Sequence, residues 1–254
     1  IMKVKNWPNF DKDLISKVCD VIESGKINYT TGPFGEKFET KFSKFIGNKY
    51  SVAVCNGTAA LEVAIKSLNL PKNSKIIVPA RSFFSSAACI VNTGHTPVFV
   101  DVDLKTQNIS LKDLKNKITK NIRAIICVHL AGLPCDMHNI KKIINKYKIK
   151  IIEDCSQAHG ASIDNKQVGT FGDVSTWSFC TDKIISTLGE GGMISTNKKK
   201  IYEFCKRYVN HGTVQKSKKN FNNFIYNKDY FGTNLRITEI QSLAGLEQLK
   251  NLNK

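Results

Sequence analysis

Arginine is scarce. Of the 38 basic residues only Arg81, Arg123, Arg207 and Arg236 are not lysine. Surfaces that read nucleic acid lean on the planar guanidinium for paired contacts to bases and phosphates. A net charge of +17 carried almost wholly by lysine dispersed along the chain therefore points to a compositional bias. No nucleic-acid partner is expected. No apolar run approaches the ~20 residues that a membrane span requires, and no secretory leader pattern is present. The eight cysteines (19, 55, 89, 127, 135, 155, 180 and 205) contain no CxxC pair, and several sit in apolar runs such as SVAVC and AIICV. There a thiol packs as a small hydrophobe, which argues against a disulfide framework and for a reducing compartment. His129, Cys135 and His138 in HLAGLPCDMH lack a fourth ligand at a recognisable spacing, so no metal is expected. These absences lead to one expectation: a soluble, cytoplasmic protein without a membrane partner.

What is present is an ordinary globular composition, 41% apolar and 23% charged over 254 residues, enough to bury a substantial core. Short β-branched runs alternate with longer stretches of helical period. The expected strands are Tyr50–Cys55, Lys75–Val78, Pro97–Val102, Ala124–His129, Ile149–Glu153, Val174–Phe179 and Gly192–Thr196. Between them the expected helices are Ala59–Ser67, Ser85–Asn92, Leu111–Asn116, Asn139–Tyr147 and Lys199–Arg207, with a further helical pattern over Thr238–Leu249. Runs such as KIIV and AIICV are apolar on both sides, so helices must cover both faces of a mostly parallel sheet. The reading is one three-layer α/β domain, with room for a late antiparallel strand. The Lys/Asn-rich stretch Thr213–Tyr230 reads as an exposed loop.

Four stretches carry residues suited to chemistry, each at or just past a strand end, where open α/β sheets place ligands. Asn56-Gly57-Thr58 follows a strand and opens a helix. Glycine permits close backbone approach, threonine adds a hydroxyl, and a helix N-terminus adds unpaired amides, together an anion site. The plainer reading is a Thr cap after Gly. Ile151-Ile152-Glu153-Asp154 ends a buried strand in two acids that must point to opposite faces. A carboxylate buried there needs a cation or donors. A pyridine nitrogen is such a cation, held protonated by the acid opposite it, and Gln157 stands three residues on to contact a ring substituent. Ser178-Phe179-Cys180-Thr181-Asp182-Lys183 places a lysine just past a strand among small and apolar residues, as Schiff-base chemistry requires. The closing Gly189-Glu190-Gly191-Gly192 lacks the G-x-G-x-x-G spacing of a dinucleotide loop. Gly232-Thr233-Asn234-Leu235-Arg236 leads into the last helix.

In order and spacing these stretches, with SGKINYTTGPFGEKFE, PARSFFSSA and TPVFVDVD, resemble the sugar aminotransferases of the DegT/DnrJ/EryC1/StrS group, from about Trp7 to the last residue. The resemblance implies a pyridoxal 5'-phosphate enzyme of fold type I, with an aspartate aminotransferase-like large domain. It implies Lys183 as the Schiff-base lysine and proton carrier, and Asp154 as the partner of the ring nitrogen. Gln157 would contact the ring hydroxyl side and Phe83 would stack on the ring. Gly57, Thr58 and Ser178 would form the phosphate cup, and Asn234 would reach the phosphate of a neighbouring subunit in a homodimer.

The implied reaction moves an amino group from an amino acid, glutamate by analogy, to a keto-sugar linked to a nucleotide. A cyclitol or another non-nucleotide keto acceptor is the alternative. Two features depart from the pattern. Residues 1–254 cover the cofactor-binding large domain, and the small C-terminal domain usual in the group is expected to be missing, as in a fragment. Arg81 occupies a position that is often apolar, and either reaches a substrate anion or lies at the surface. Related dehydratases carry His at the lysine position; Lys183 argues against that variant.

Overall fold

The computed structural model of the chain describes residues 7–215, 224–226 and 231–252. It opens with helices α1 (Lys12–Glu23) and α2 (Phe34–Ile46). Strand and helix then alternate through β1 (Tyr50–Val54), α3 (Gly57–Ser67), β2 (Lys75–Pro79), α4 (Ser85–Asn92) and β3 (Thr96–Val100). The alternation continues with α5 (Leu111–Lys117), β4 (Ile122–Val128), α6 (Met137–Ile144) and β5 (Lys150–Asp154). A small hairpin, β6 (Ser162–Ile163) with β7 (Lys166–Gln167), precedes β8 (Val174–Ser178), β9 (Gly192–Thr196) and α7 (Lys199–Tyr208). After them come β10 (Thr213–Gln215), β11 (Phe224–Tyr226) and α8 (Glu239–Asn251).

Seven strands form one sheet in the order β1-β9-β8-β5-β4-β2-β3. β9 runs against both of its neighbours, while the pairings from β8 to β3 are all parallel. The mixed, mostly parallel sheet with a late antiparallel strand matches the expectation. Alternation along each strand feeds two cores. On β4, Ala124, Ile126 and Val128 pack towards α3, α4 and α7, whereas Ile125 and Cys127 join the opposite core with α5 and α6. Beyond β8 and β9 that opposite face is covered by α2 and α8, where Phe38, Phe42, Trp177 and Phe179 are fully buried. Their rings meet edge-on or tilted at 5.2–5.9 Å between centroids, a geometry worth roughly 0.5–1.5 kcal/mol per pair beyond burial.

Strand and helix ends fall within two residues of expectation at most junctions, and α4 matches Ser85–Asn92 at both ends. α3 begins two residues early because Asn56, not Thr58, is its cap: Asn56 Oδ1 accepts from the Ala59 amide at 2.8 Å. Helices α1 and α2 were not expected, although Phe34, Phe38 and Phe42 mark one helical face. Within the stretch read as an exposed loop, Thr213–Gln215 and Phe224–Tyr226 pair as antiparallel strands and Thr213 is buried. The rest of that stretch lies outside the described residues.

Two carboxylates that composition alone does not single out tie the N-terminal helices to this frame. Glu239, at the start of α8, accepts from the Phe34 and Gly35 amides and so caps α2 from another element. Glu39 of α2 accepts from the Ala53 amide of β1 at 2.9 Å, from Tyr29 Oη at 3.0 Å and from Lys206 Nζ of α7 at 2.8 Å.

Candidate active site

The site grows from the end of β5. Period-2 alternation sends Glu153 and Asp154 to opposite faces of the sheet, and each acid has a different use. Glu153 is fully buried; it accepts from the amides of Gly169, Phe171 and Gly172 at 2.5–2.8 Å and contacts His129 Nε2 at 3.1 Å. The Cys135 amide donates to His129 Nδ1 at 3.0 Å, so the ring proton sits on Nε2, aimed at Glu153. His129, Glu153 and Cys155 bring their ligand atoms within 4.8 Å of one another. Peptide amides already occupy the Glu153 oxygens and His129 Nδ1, and the ring proton is spent on Glu153, which gives both residues a structural use.

Asp154 faces the other way, into a cavity of about 530 Å3. Its walls include Gly57, Thr58, Phe83, Asp154, Gln157, Ser178 and Lys183, gathered from the ends of β1, β2, β5 and β8. Seven of the eight residues singled out from sequence thus share one cavity. Asp154 is 5% exposed and, among the described residues, forms no ion pair. Its Oδ2 accepts from Ser86 Oγ at 2.9 Å and its Oδ1 from the Ser156 amide at 3.2 Å. The remaining lone pairs are open to a cation from the cavity.

Around it the other groups are set by local backbone chemistry. With Asn56 capping the Ala59 amide, the first two amides of α3, those of Gly57 and Thr58, have no acceptor among the described residues. A Cβ at Gly57 would stand 2.7 Å from Ser178 Cβ, so only glycine lets this turn close on β8. The Gly191–Gly192 pair has a similar reason: a Cβ at Gly192 would meet the Asn56 carbonyl oxygen at 2.4 Å. Those glycines therefore serve close backbone approach at the cavity wall. Gln157 Oε1 accepts from the Ala131 amide at 2.7 Å, which leaves its amide NH2 to donate. Phe83 is 70% exposed, an open ring face at the cavity.

Lys183 follows the tight turn after β8, with its side chain only 17% exposed. Nζ donates to Asp182 Oδ2 at 3.0 Å, and this bond holds the Asp182 carboxyl below the usual carboxylate range. The indole of Trp7 donates to the Lys183 carbonyl oxygen at 3.2 Å. Beneath this turn lies His159, buried against Trp177 and Phe179 at 5.4 and 5.7 Å between rings. Neither of its nitrogens has a partner among the described residues.

Burial, and after it the nearby Lys183 ammonium, push the His159 imidazole down to about 3. An unfolded chain takes up this proton below its ordinary value of about 6.5, whereas the folded chain refuses it until about pH 3. Stability at this site is therefore complete above pH 6.5 and drains away as pH falls towards 3. The expected loss between pH 6.5 and 5 is about 2 kcal/mol. Urea midpoints at pH 7 and pH 5 for wild type and His159→Phe measure it: the variant should have the flatter dependence, and equal slopes refute the assignment.

Other expectations separate from the cavity. Asn234, expected to reach a neighbouring subunit's phosphate and not this cavity, is exposed and pairs with Asn210 in an isolated bridge. Arg81 is exposed and donates to Gln107 Oε1, which supports the surface reading. His138 is exposed and pairs with Asp164 at 3.1 Å, while His129 and Cys135 are buried, so the three do not face one point. Sequence reasoning passed over Ser82, Ser86 and Glu190, which also line the cavity. For the two serines a signal existed, hydroxyls four apart at the start of a helix.

A sequence model of the DegT/DnrJ/EryC1/StrS aminotransferase family matches residues 8–254. The chain belongs to this family. Among the family's curated proteins it is 40% identical to the GDP-perosamine synthase of Escherichia coli O157:H7 over 219 residues, 86% of this chain and 58% of that protein. A solved aminotransferase from Psychrobacter cryohalolentis superposes with a TM-score of 0.92 at 40% identity, covering 97% of this chain and 63% of that one. The E. coli GDP-4-keto-6-deoxy-D-mannose-3-dehydratase with bound hydrated PLP gives a TM-score of 0.88 at 32% identity, over 98% and 68% of the two chains. The family member described here thus spans about 58–63% of the length of the two 40%-identical relatives.

Proposed function

We propose that the protein is a pyridoxal 5'-phosphate-dependent aminotransferase that moves the amino group of glutamate onto a nucleotide-linked keto-sugar. One observation carries the reading: a buried acid without a cation, Asp154, and a shielded lysine, Lys183, share one cavity. The similarity to a GDP-perosamine synthase supports the acceptor class, and the dehydratase relative that binds the cofactor supports the cofactor. Lys183 departs from the histidine of the dehydratases, which favours amino transfer.

The residues present fit the cofactor. The free amides of Gly57 and Thr58 and the Ser178 hydroxyl suit a phosphate, and the close approach at Gly57 shapes its cradle. Asp154 suits a protonated ring nitrogen, Gln157 Nε2 a ring oxygen, and Phe83 a ring face. When bound, the cofactor supplies an aldehyde carbon for amine exchange and a ring that accepts the electron pair of a broken C–H bond. Lys183, shielded and beside Asp182, would be the amine that holds the cofactor and the base that carries a proton from the donor's α-carbon. Asp154 would pair with the ring nitrogen.

The homodimer and the cytoplasmic setting belong to the same proposal. Asn234 and Phe231, the latter 92% exposed, offer a surface for a second copy, and eight free thiols suit a reducing compartment. Sedimentation should give a dimer. The decisive experiment loads the full chain with pyridoxal phosphate and fixes it with borohydride. The label should map to Lys183, glutamate should release 2-oxoglutarate, and a nucleotide keto-sugar should gain an amine by mass spectrometry. Amination of a cyclitol alone would replace the acceptor class; failure to bind the cofactor would overturn the reading.

A further inference from the structure

A buried carboxylate without a cation needs hydrogen-bond donors. For Asp154 the side-chain donor comes from α4. Ser86 Oγ lies 2.9 Å from Asp154 Oδ2, and the Ser86 side chain is buried. In this bond Ser86 Oγ donates, so it spends the single proton of the hydroxyl. Ser82 Oγ lies 2.7 Å from Ser86 Oγ, and the direction of that contact follows: Ser82 must donate. The result is a one-way chain, Ser82 to Ser86 to Asp154, in which each hydrogen bond polarises the next.

We propose that Ser86, backed by Ser82, is a positioning residue that orients the carboxylate of Asp154 for a cationic ring nitrogen. The inference rests on the reading that Asp154 faces that nitrogen. Its geometry is specific. The Ser156 amide holds Oδ1 from the loop after β5, and Ser86 holds Oδ2 from α4, so two elements fix the carboxylate plane. Just ahead of α4 stands Phe83, whose carbonyl oxygen accepts from the Ser86 amide at 3.1 Å. One turn therefore places both the ring face and the hydroxyl that aims the acid. Next to it Ser85 Oγ bonds Thr58 Oγ1 at 2.8 Å and fastens the turn to the start of α3.

The test separates this role from a merely structural one by using two ligands, pyridoxal phosphate and its 1-deaza analogue, in which carbon replaces the ring nitrogen. Dissociation constants are measured on the apo full-length chain by absorbance and fluorescence titration. Wild type should prefer pyridoxal phosphate. Ser86→Ala should weaken pyridoxal phosphate by about tenfold, the scale of one hydrogen bond to a charged group, and leave the analogue nearly unchanged. Ser86→Thr, which keeps the hydroxyl, should restore the preference, and Ser82→Ala should lower it by a smaller factor. A Ser86→Ala protein with the wild-type preference overturns the inference, as does equal loss for both ligands. Should Ser86→Ala fail to fold, Ser82→Ala decides by the same comparison. A wild type that binds neither ligand, or both equally, instead overturns the reading of Asp154 itself.

Discussion

Replacing Lys183 with alanine should lower amino transfer by at least ~1000-fold while leaving the fold in place. The two parts of the expectation have different causes. On the proposed function this amine, the only lysine of the cavity wall among the described residues, is both attachment point and proton carrier, so its loss would remove both. Its structural contribution is small: the partner Asp182 is 70% exposed, and exposed pairs contribute roughly 0–1 kcal/mol. The variant should unfold at nearly the wild-type urea concentration, resist borohydride labelling and release no 2-oxoglutarate from glutamate. A Lys183→Ala protein with a tenth of wild-type turnover would sink the assignment.

The neighbouring acid should behave in the opposite way. Glu153→Ala removes the acceptor of three amides, two of them buried, and of the His129 ring proton. Each stranded donor costs about 1–3 kcal/mol, and repacking around the 169–172 turn recovers only part of that. The net loss should be about 4 kcal/mol or more, a large fraction of a stability that is usually about 5–15 kcal/mol. Glu153→Gln keeps the shape but turns one acceptor into a donor among donors, so it should lie between alanine and wild type. Urea midpoints or soluble yield order the three. A Glu153→Ala midpoint equal to wild type would show that water replaces the carboxylate without loss.

Much of the frame was legible because its signals are local. Runs such as KIIV and AIICV can only be strands buried on both faces, and Ser85–Asn92 and Gly192–Thr196 were placed to the residue. The opposed directions of Glu153 and Asp154 followed from strand geometry alone. The misses are non-local or masked by polarity. α2 was overlooked because lysine and glutamate separate its phenylalanines, and its cap is the side chain of Glu239, 204 residues from Gly35. The strand at Thr213–Gln215 sits in a Lys/Asn-rich stretch that reads as loop, and only pairing with Phe224–Tyr226 makes it one.

By itself the sequence determined the layers, the direction of the sheet and the residue types of the cavity, since periodicity and turn chemistry depend on neighbours along the chain. Tertiary structure alone decided which donors surround each acid and which lysine is shielded. It also decided that Asn234 stands apart from the cavity that gathers the other seven. Those outcomes depend on contacts between segments well over a hundred residues apart, such as Trp7 and Lys183, and no local pattern encodes a distance across the fold.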